Sequence, residues 1–102
     1  MNIAVIGDYE SPFYPEFLKK IAMVKPEDTI LDLTRHQGHN WGKKLAARWE
    51  DISSSNLVIV HPDYEKSLDS RRDLTYAMDR RRECLIYVNG VFRPFAEHVR
   101  SI

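Results

Sequence analysis

Four short runs of apolar residues divide the chain, and helical spacing fills the segments between them. The runs are rich in Ile, Val and Leu and nearly unbroken by polar residues, and they cover residues 3–6, 29–33, 57–60 and 85–88. Such runs are typical of strands that are buried on both faces, as in a parallel sheet between layers of helices. The pattern therefore predicts four parallel strands.

Apolar positions three and four residues apart predict the helices. The three stripes are Phe13, Phe17, Leu18, Ile21 and Ala22, then Leu45, Ala46, Trp49 and Ile52, then Leu74, Ala77 and Met78. Ser70 or Asp69 is placed to cap the third helix. With right-handed crossovers, this order predicts an α/β fold. We expect a flavodoxin-like three-layer sandwich with a parallel sheet of four to five strands, in the order 2-1-3-4 with a possible fifth.

The end of the chain allows two short elements. Asn89-Gly90 is a turn signal, after which residues 91–92 could pair as a short strand before Pro94. Residues 95–99 could begin a last helix. The chain has no repeats or linkers, and its length suits a single domain over residues 1–102.

Composition narrows the classes of partner. Fifteen basic residues balance fifteen acidic ones, so no overall field favours nucleic acid or an anionic membrane, and we expect neither partner. The single cysteine, Cys84, and the absence of a secretion signal at the start predict a soluble cytoplasmic protein. Because so small a domain is only modestly stable, we expect a homodimer or a higher homo-oligomer.

Ligands of open α/β sheets bind at the carboxyl ends of the strands, where the strand order reverses. Here that edge gathers residues 7–12, 34–42, 61–68 and 89–93. In the first of these loops Gly7 lets the backbone approach a ligand, while Asp8 and Tyr9 could hold a ribose hydroxyl or a base. An ordinary strand-to-helix turn capped by Ser11 is the alternative.

The other loops offer donors, acids and a possible anion site. Arg35 lies in a loop dense in donors and aromatic rings, which is either a substrate-binding loop or a solvated one. Its His36 and His39 have no third ligand nearby, so we expect no metal and no cofactor. The third and fourth loops supply His61, Asp63, Glu65 and Asn89. Ser67, with Arg71, could bind an anion at a helix start or could simply cap the helix.

The third helix carries a resemblance to a known family. Residues 67–77 read Ser-Leu-Asp-Ser-Arg-Arg-Asp-Leu-Thr-Tyr-Ala. They resemble the pattern Ser/Asp-x-Gly-x-x-x-Glu-Leu-Gly-x-Ala of the nucleoside 2-deoxyribosyltransferase superfamily, which includes the 2'-deoxynucleoside 5'-monophosphate N-glycosidases. The strands at residues 56–60 and 82–87 are similar to the family's Asp-Val-Val-Val-Ala and Lys-Pro-Val strands. The similarity covers about residues 50–90.

The resemblance implies cleavage or transfer at the N-glycosidic bond of a deoxynucleoside or its monophosphate. Asp73 matches the family's nucleophilic glutamate, which attacks the sugar through an oxocarbenium-like transition state. Ser67 matches the serine that contacts the 5'-phosphate in the monophosphate hydrolases. Asp63 or Asp51 would act as acid and base.

The chain departs from the family pattern at several positions. Asp73 is one methylene shorter than glutamate, which withdraws the carboxylate by ~1.5 Å. The motif glycines are replaced by Asp69 and Thr75, and the family's tyrosine corresponds to Ala4 or Val5. The acid expected before the third strand would fall near Arg48.

Several functions are therefore open. The chain is an N-glycosidase or deoxyribosyltransferase-like enzyme, or a non-catalytic nucleotide-binding module on the same fold. Both hypotheses predict a nucleoside or nucleotide ligand, but only the first predicts release of free base. A receiver domain of the response-regulator kind ranks last, because the required acids and lysine are incomplete. An interaction domain would use exposed helix residues such as Tyr76 or Met78.

Overall fold

The computed structural model describes residues 1–36 and 40–100, and within them the chain forms a five-stranded sheet in the order β2-β1-β3-β4-β5. The first four strands run parallel, and β5 pairs antiparallel with β4. The predicted α/β class and strand order are confirmed. The strands are β1 (Asn2–Ile6), β2 (Thr29–Leu31), β3 (Leu57–Val60), β4 (Cys84–Val88) and β5 (Val91–Pro94).

The sheet is mixed rather than wholly parallel, and the turn before β5 explains why. Asn89 and Gly90 both adopt positive φ, at 52° and 78°. Two such residues form a tight hairpin turn, which brings the chain back antiparallel. A parallel fifth strand would need a crossover of a dozen or more residues. The expectation of a fully parallel sheet was therefore wrong at this edge.

Helices connect the four parallel strands, and a last helix follows β5. They are α1 (Phe13–Val24), α2 (Trp41–Ser54), α3 (Leu68–Asp79) and α4 (Phe95–Arg100), with a 3-10 helix at Pro62–Lys66. Among the described residues, no helix has the length and apolar character needed to cross a membrane.

Alternating strand residues supply two apolar clusters. Ile3 and Val5 of β1 pack with Phe17 and Ile21 of α1. Ala4 and Ile6, the alternate residues of β1, pack with residues of α2, α3 and α4. Because neighbouring strand residues point to opposite faces, the two clusters lie on opposite sides of β1. This explains why the strands of the sheet centre read as unbroken apolar runs.

Local polar contacts fix the ends of two elements. The Asp32 carboxylate accepts bonds from the Thr34 N–H at 2.8 Å and from the Thr34 hydroxyl at 2.6 Å. This side-chain turn ends β2 at Leu31, two residues earlier than predicted. Ser67 caps α3 by accepting from the Ser70 N–H at 3.3 Å, which confirms the expected alternative of a Ser67 cap and corrects the expectation of a cap at Ser70 or Asp69.

Replacing Gly90 by Ala tests the hairpin that closes the sheet. An added Cβ would lie 4.0 Å from the nearest atom, so the cost is one of backbone conformation at φ +78°. We expect the free energy of unfolding to fall by about 1 kcal/mol, which lowers Tm by about 4–8 °C.

Gly42 of α2 provides the matched control for this experiment. A Cβ added to Gly42 would lie 3.6 Å from Asn40 Oδ1, which is an ordinary contact distance, and the backbone of Gly42 does not adopt positive φ. Gly42→Ala should therefore leave Tm unchanged or raise it. Thermal unfolding followed by circular dichroism measures both variants, and equal Tm values would contradict the strained turn.

Candidate functional site

A buried carboxylate on α3 joins the elements at the carboxyl edge of the sheet. Asp73 is 0% exposed, because it shares the inward face of α3 with Ser70, Leu74 and Ala77. Its Oδ2 accepts from the Tyr9 hydroxyl at 2.6 Å and from Arg48 Nε at 2.7 Å. Its Oδ1 accepts from the indole N–H of Trp49 at 3.0 Å. We call these four residues the Asp73 cluster.

The electrostatics of the cluster keep each donor in its donating form. Burial raises the pKa of Asp73 above its usual value, and the bonds from Arg48, Tyr9 and Trp49 oppose that rise. Burial and then the charge of Asp73 raise the pKa of Tyr9 well above its usual value. Burial opposes the charge on Arg48, but the bond and charge of Asp73 raise its pKa overall. Because every partner is a donor, the carboxylate acts as an acceptor within an ion pair.

This geometry restricts what Asp73 can do chemically. Both carboxylate oxygens already accept hydrogen bonds, and the side chain is closed to solvent. A nucleophilic attack from Asp73 would require Arg48 or Tyr9 to move away first. In the arrangement seen here, the carboxylate holds other side chains in place.

Two members of the Asp73 cluster face a cavity at the ends of β1 and β2. This cavity, the loop pocket, has a volume of about 410 Å³. Lys44 and Arg48 bring positive charge to it, and Glu10 and Asp69 bring negative charge. Its full lining is Tyr9, Glu10, Leu33, Thr34, His36, Lys44, Arg48 and Asp69. Asp73 lies behind this wall.

A second carboxylate fixes the loop that borders the pocket. Asp51 of α2 accepts from Arg35 Nη2 at 2.6 Å and lies 2.7 Å from His36 Nε2. The predicted residues Arg35 and Asp51 therefore do meet, but in an ion pair with each other. His39, the other half of the histidine pair, lies outside the described residues. Within residues 1–36 and 40–100, no group of three or more His, Cys, Asp and Glu could hold a metal.

The first and third loops meet at Gly7. A Cβ on Gly7 would lie 3.1 Å from the Cβ of His61, so this close packing favours glycine. The Asp63 Oδ1 accepts from the Asp8 N–H at 3.0 Å and lies 2.7 Å from His61 Nδ1. The structure therefore brings Gly7, Asp8, His61 and Asp63 together, as a network that ties β1 to β3.

The remaining predicted residues lie apart from one another. Ser67 caps α3 and borders a neighbouring cavity of about 560 Å³ together with Asp8 and Tyr9. Arg71 is exposed on α3 and lines the groove between α2 and α3. Asn89 forms the β4–β5 turn.

The roles of Arg48 and Trp49 do not follow from the motifs of the sequence. Trp49 belongs to an apolar stripe that predicts a core position, and the family resemblance predicts an acid near Arg48. One signal was available, since Arg48 follows Leu45 by three residues and precedes Ile52 by four. A charged residue on the apolar face of a helix indicates a buried partner of opposite charge.

Substitutions in the Asp73 cluster should separate the contribution of the ion pair to stability from the contribution of a single hydrogen bond. Asp73→Asn removes the nearest counter-charge of the buried Arg48 and leaves it only the Asp69 carboxylate, 3.7 Å from Arg48 Nη2, so we expect a loss of about 3 kcal/mol in the free energy of unfolding. Tyr9→Phe removes one donor and keeps the ion pair, for a loss of about 1–2 kcal/mol. Urea denaturation measures both, and an Asp73→Asn loss no larger than that of Tyr9→Phe would contradict the buried ion pair.

Comparisons with known proteins leave the site to be interpreted from its geometry. No protein-family model matches the chain, and no curated protein matches its sequence significantly. The resemblance to the nucleoside 2-deoxyribosyltransferase superfamily accordingly rests on the motif in α3 and its flanking strands.

Proposed function

We propose that the chain is a non-catalytic nucleotide-binding module with a flavodoxin-like three-layer architecture, and that the loop pocket is its binding site. One observation carries the choice of binding over catalysis. Asp73, the residue at the nucleophile's position, is buried with both oxygens engaged, whereas its partners Arg48 and Tyr9 line the pocket.

The chemistry of the pocket supports a ligand with both a phosphate and sugar hydroxyls. Lys44, which is exposed, offers the positive charge that a phosphate requires, and Arg48 adds guanidinium N–H donors although its charge is paired with Asp73. Glu10 and Asp69 offer carboxylates that can accept bonds from hydroxyl groups, as acidic residues do for ribose in other α/β folds. A volume of about 410 Å³ lies within the range of small-molecule sites.

The Asp73 cluster also prepares the pocket wall before a ligand arrives. The guanidinium carbon of Arg48 lies 5.3 Å from the centre of the Tyr9 ring, and both side chains bond to the same carboxylate oxygen. Side chains fixed in this way lose little freedom on binding, which preserves affinity. The homodimer expected from the small size of the domain stays a prediction.

Adjacent lysines on α2 provide a matched test of nucleotide binding. Lys44 lines the loop pocket, whereas Lys43 is an exposed residue outside its lining. We expect deoxynucleoside monophosphates to bind more tightly than the deoxynucleosides. Lys44→Ala should weaken monophosphate binding by about five- to tenfold, because a charge-assisted contact is lost. Lys43→Ala should change it less than twofold. Titration calorimetry measures both, and equal losses would indicate nonspecific attraction instead.

N-glycosidase or deoxyribosyltransferase activity is the second candidate, and one observation favours it. The ion pair with Arg48 supports the carboxylate form that a nucleophile needs, and Asp73 occupies the motif position of the family's glutamate. Such an enzyme must displace Arg48 or Tyr9 when substrate binds. Asp51 and Asp63, the proposed acids, would also have to leave their present partners.

Release of free base separates the two proposals. When the protein is incubated with deoxynucleosides or their monophosphates, we expect no release of free base above the uncatalysed rate. Chromatography of the reaction mixture measures the free base. If free base is released, the enzyme proposal expects release from deoxynucleosides to persist in Ser67→Ala and to be lost in Asp73→Asn. That result would establish the enzyme and overturn the binding module. Circular dichroism shows whether the Asp73 variant is folded.

A further inference from the structure

We infer a second binding site, in the groove between α2 and α3, for a small flat aromatic anion. The groove is separate from the loop pocket and has a volume of about 560 Å³. Trp41, Leu45 and Trp49 of α2 line one side of it, and Leu68, Arg72 and Tyr76 of α3 line the other. This inference goes beyond the proposed nucleotide site, because it involves different residues and a different ligand class.

The groove has an aromatic wall that is fixed in position. Trp49 stacks on Tyr76, with ring centres 4.3 Å apart and planes 8° from parallel. The Trp49 N–H donates to Asp73, and the Tyr76 hydroxyl is 2.7 Å from Ser53 Oγ. Because these polar groups are satisfied within the protein, the rings offer the groove apolar surface. Such a rigid wall suits a planar apolar ligand.

Trp41 supplies an exposed ring at the mouth of the groove. Its side chain is 55% exposed, and its indole N–H donates to Asp69 at 3.3 Å. A large exposed aromatic residue beside a formed cavity commonly marks a binding surface. Asp69 orients the ring on one side, and Arg72 orients it on the other. The guanidinium carbon of Arg72 lies 5.3 Å from the ring centre.

Arginines at the same end give the groove its charge preference. Arg71 and Arg72 both line it, and among the described residues neither guanidinium lies within 4.0 Å of a carboxylate. Asp79, the acid in the lining, lies seven residues after Arg72, or about 10 Å along the helix. Asp69 is the acid at the Trp41 end, but it already accepts from the Trp41 N–H and lies 3.7 Å from Arg48 Nη2, so the two guanidinium groups of the groove give that end a net positive charge.

These features together select an aromatic anion over a purely apolar occupant. An apolar partner that filled the groove would take the guanidinium groups of Arg71 and Arg72 out of water without a counter-charge, which is costly. An anionic group can accept hydrogen bonds from the planar guanidinium, while its ring packs between Trp41 and the Trp49–Tyr76 wall.

Titration with naphthalene-2-sulfonate, and with neutral naphthalene-2-methanol as its match, tests the inference. The chain has two tryptophans, so an amide and indole NMR spectrum contains two indole signals, assigned with Trp41→Phe and Trp49→Phe. We expect the sulfonate to shift the Trp41 signal saturably. The neutral compound should bind at least about fivefold more weakly, because it lacks the charge-assisted contact.

Variants locate the anion and separate this site from the loop pocket. Arg72→Ala should weaken sulfonate binding at least about fivefold, whereas Arg93→Ala, which removes the same charge from β5, should not. Lys44→Ala should leave sulfonate binding unchanged even if nucleotide binding is lost or never occurs.

Three results would each overturn the inference. They are the absence of saturable binding at millimolar sulfonate, equal affinity for the neutral compound, and equal losses in Arg72→Ala and Arg93→Ala. Arg72 and Arg93, the two substituted arginines, are exposed, so their variants are expected to fold. A thermal unfolding curve for each variant verifies this before titration.

Discussion

The ion pair between Asp73 and Arg48 is the interaction on which the arrangement of the site depends. Moving a carboxylate into a protein interior costs several kcal/mol, and only closely placed donors offset that cost. Here the donors come from the loop after β1 and from two positions of α2. The requirement to satisfy one buried charge therefore fixes the first loop, α2 and α3 relative to one another.

The same carboxylate orients the walls of two different cavities. Arg48 and Tyr9 line the loop pocket, and Trp49 backs the α2–α3 groove. A contact that displaced either Arg48 or Trp49 would change the bonding of Asp73 and so disturb the opposite wall. Side chains that share a buried polar network respond as a unit rather than independently. The cluster thus gives the two cavities a physical connection through a single residue.

The sequence predicted the architecture better than it predicted the site. Unbroken apolar runs and stripes at helical spacing depend on neighbours within a few residues, and they gave the strand order correctly. The Asn89-Gly90 signal also contained the direction of β5, because so short a turn cannot lead to a parallel strand. The partners of Asp73 are 24, 25 and 64 residues away. No local pattern relates those positions, so a residue resembling a nucleophile could not be seen to be an ion-pair partner.

The cost of releasing Asp73 is the reason for proposing binding rather than catalysis. A carboxylate that attacks a sugar must come within about 3–3.5 Å of the reacting carbon. In this structure the donors of Arg48 and Tyr9 occupy that position, and withdrawing Arg48 would leave the buried Asp73 charge uncompensated at a cost of several kcal/mol. Substrate binding would have to supply that energy before any gain at the transition state. A ligand that contacts Arg48 and Tyr9 in place requires no such rearrangement, and for that reason we propose a binding module.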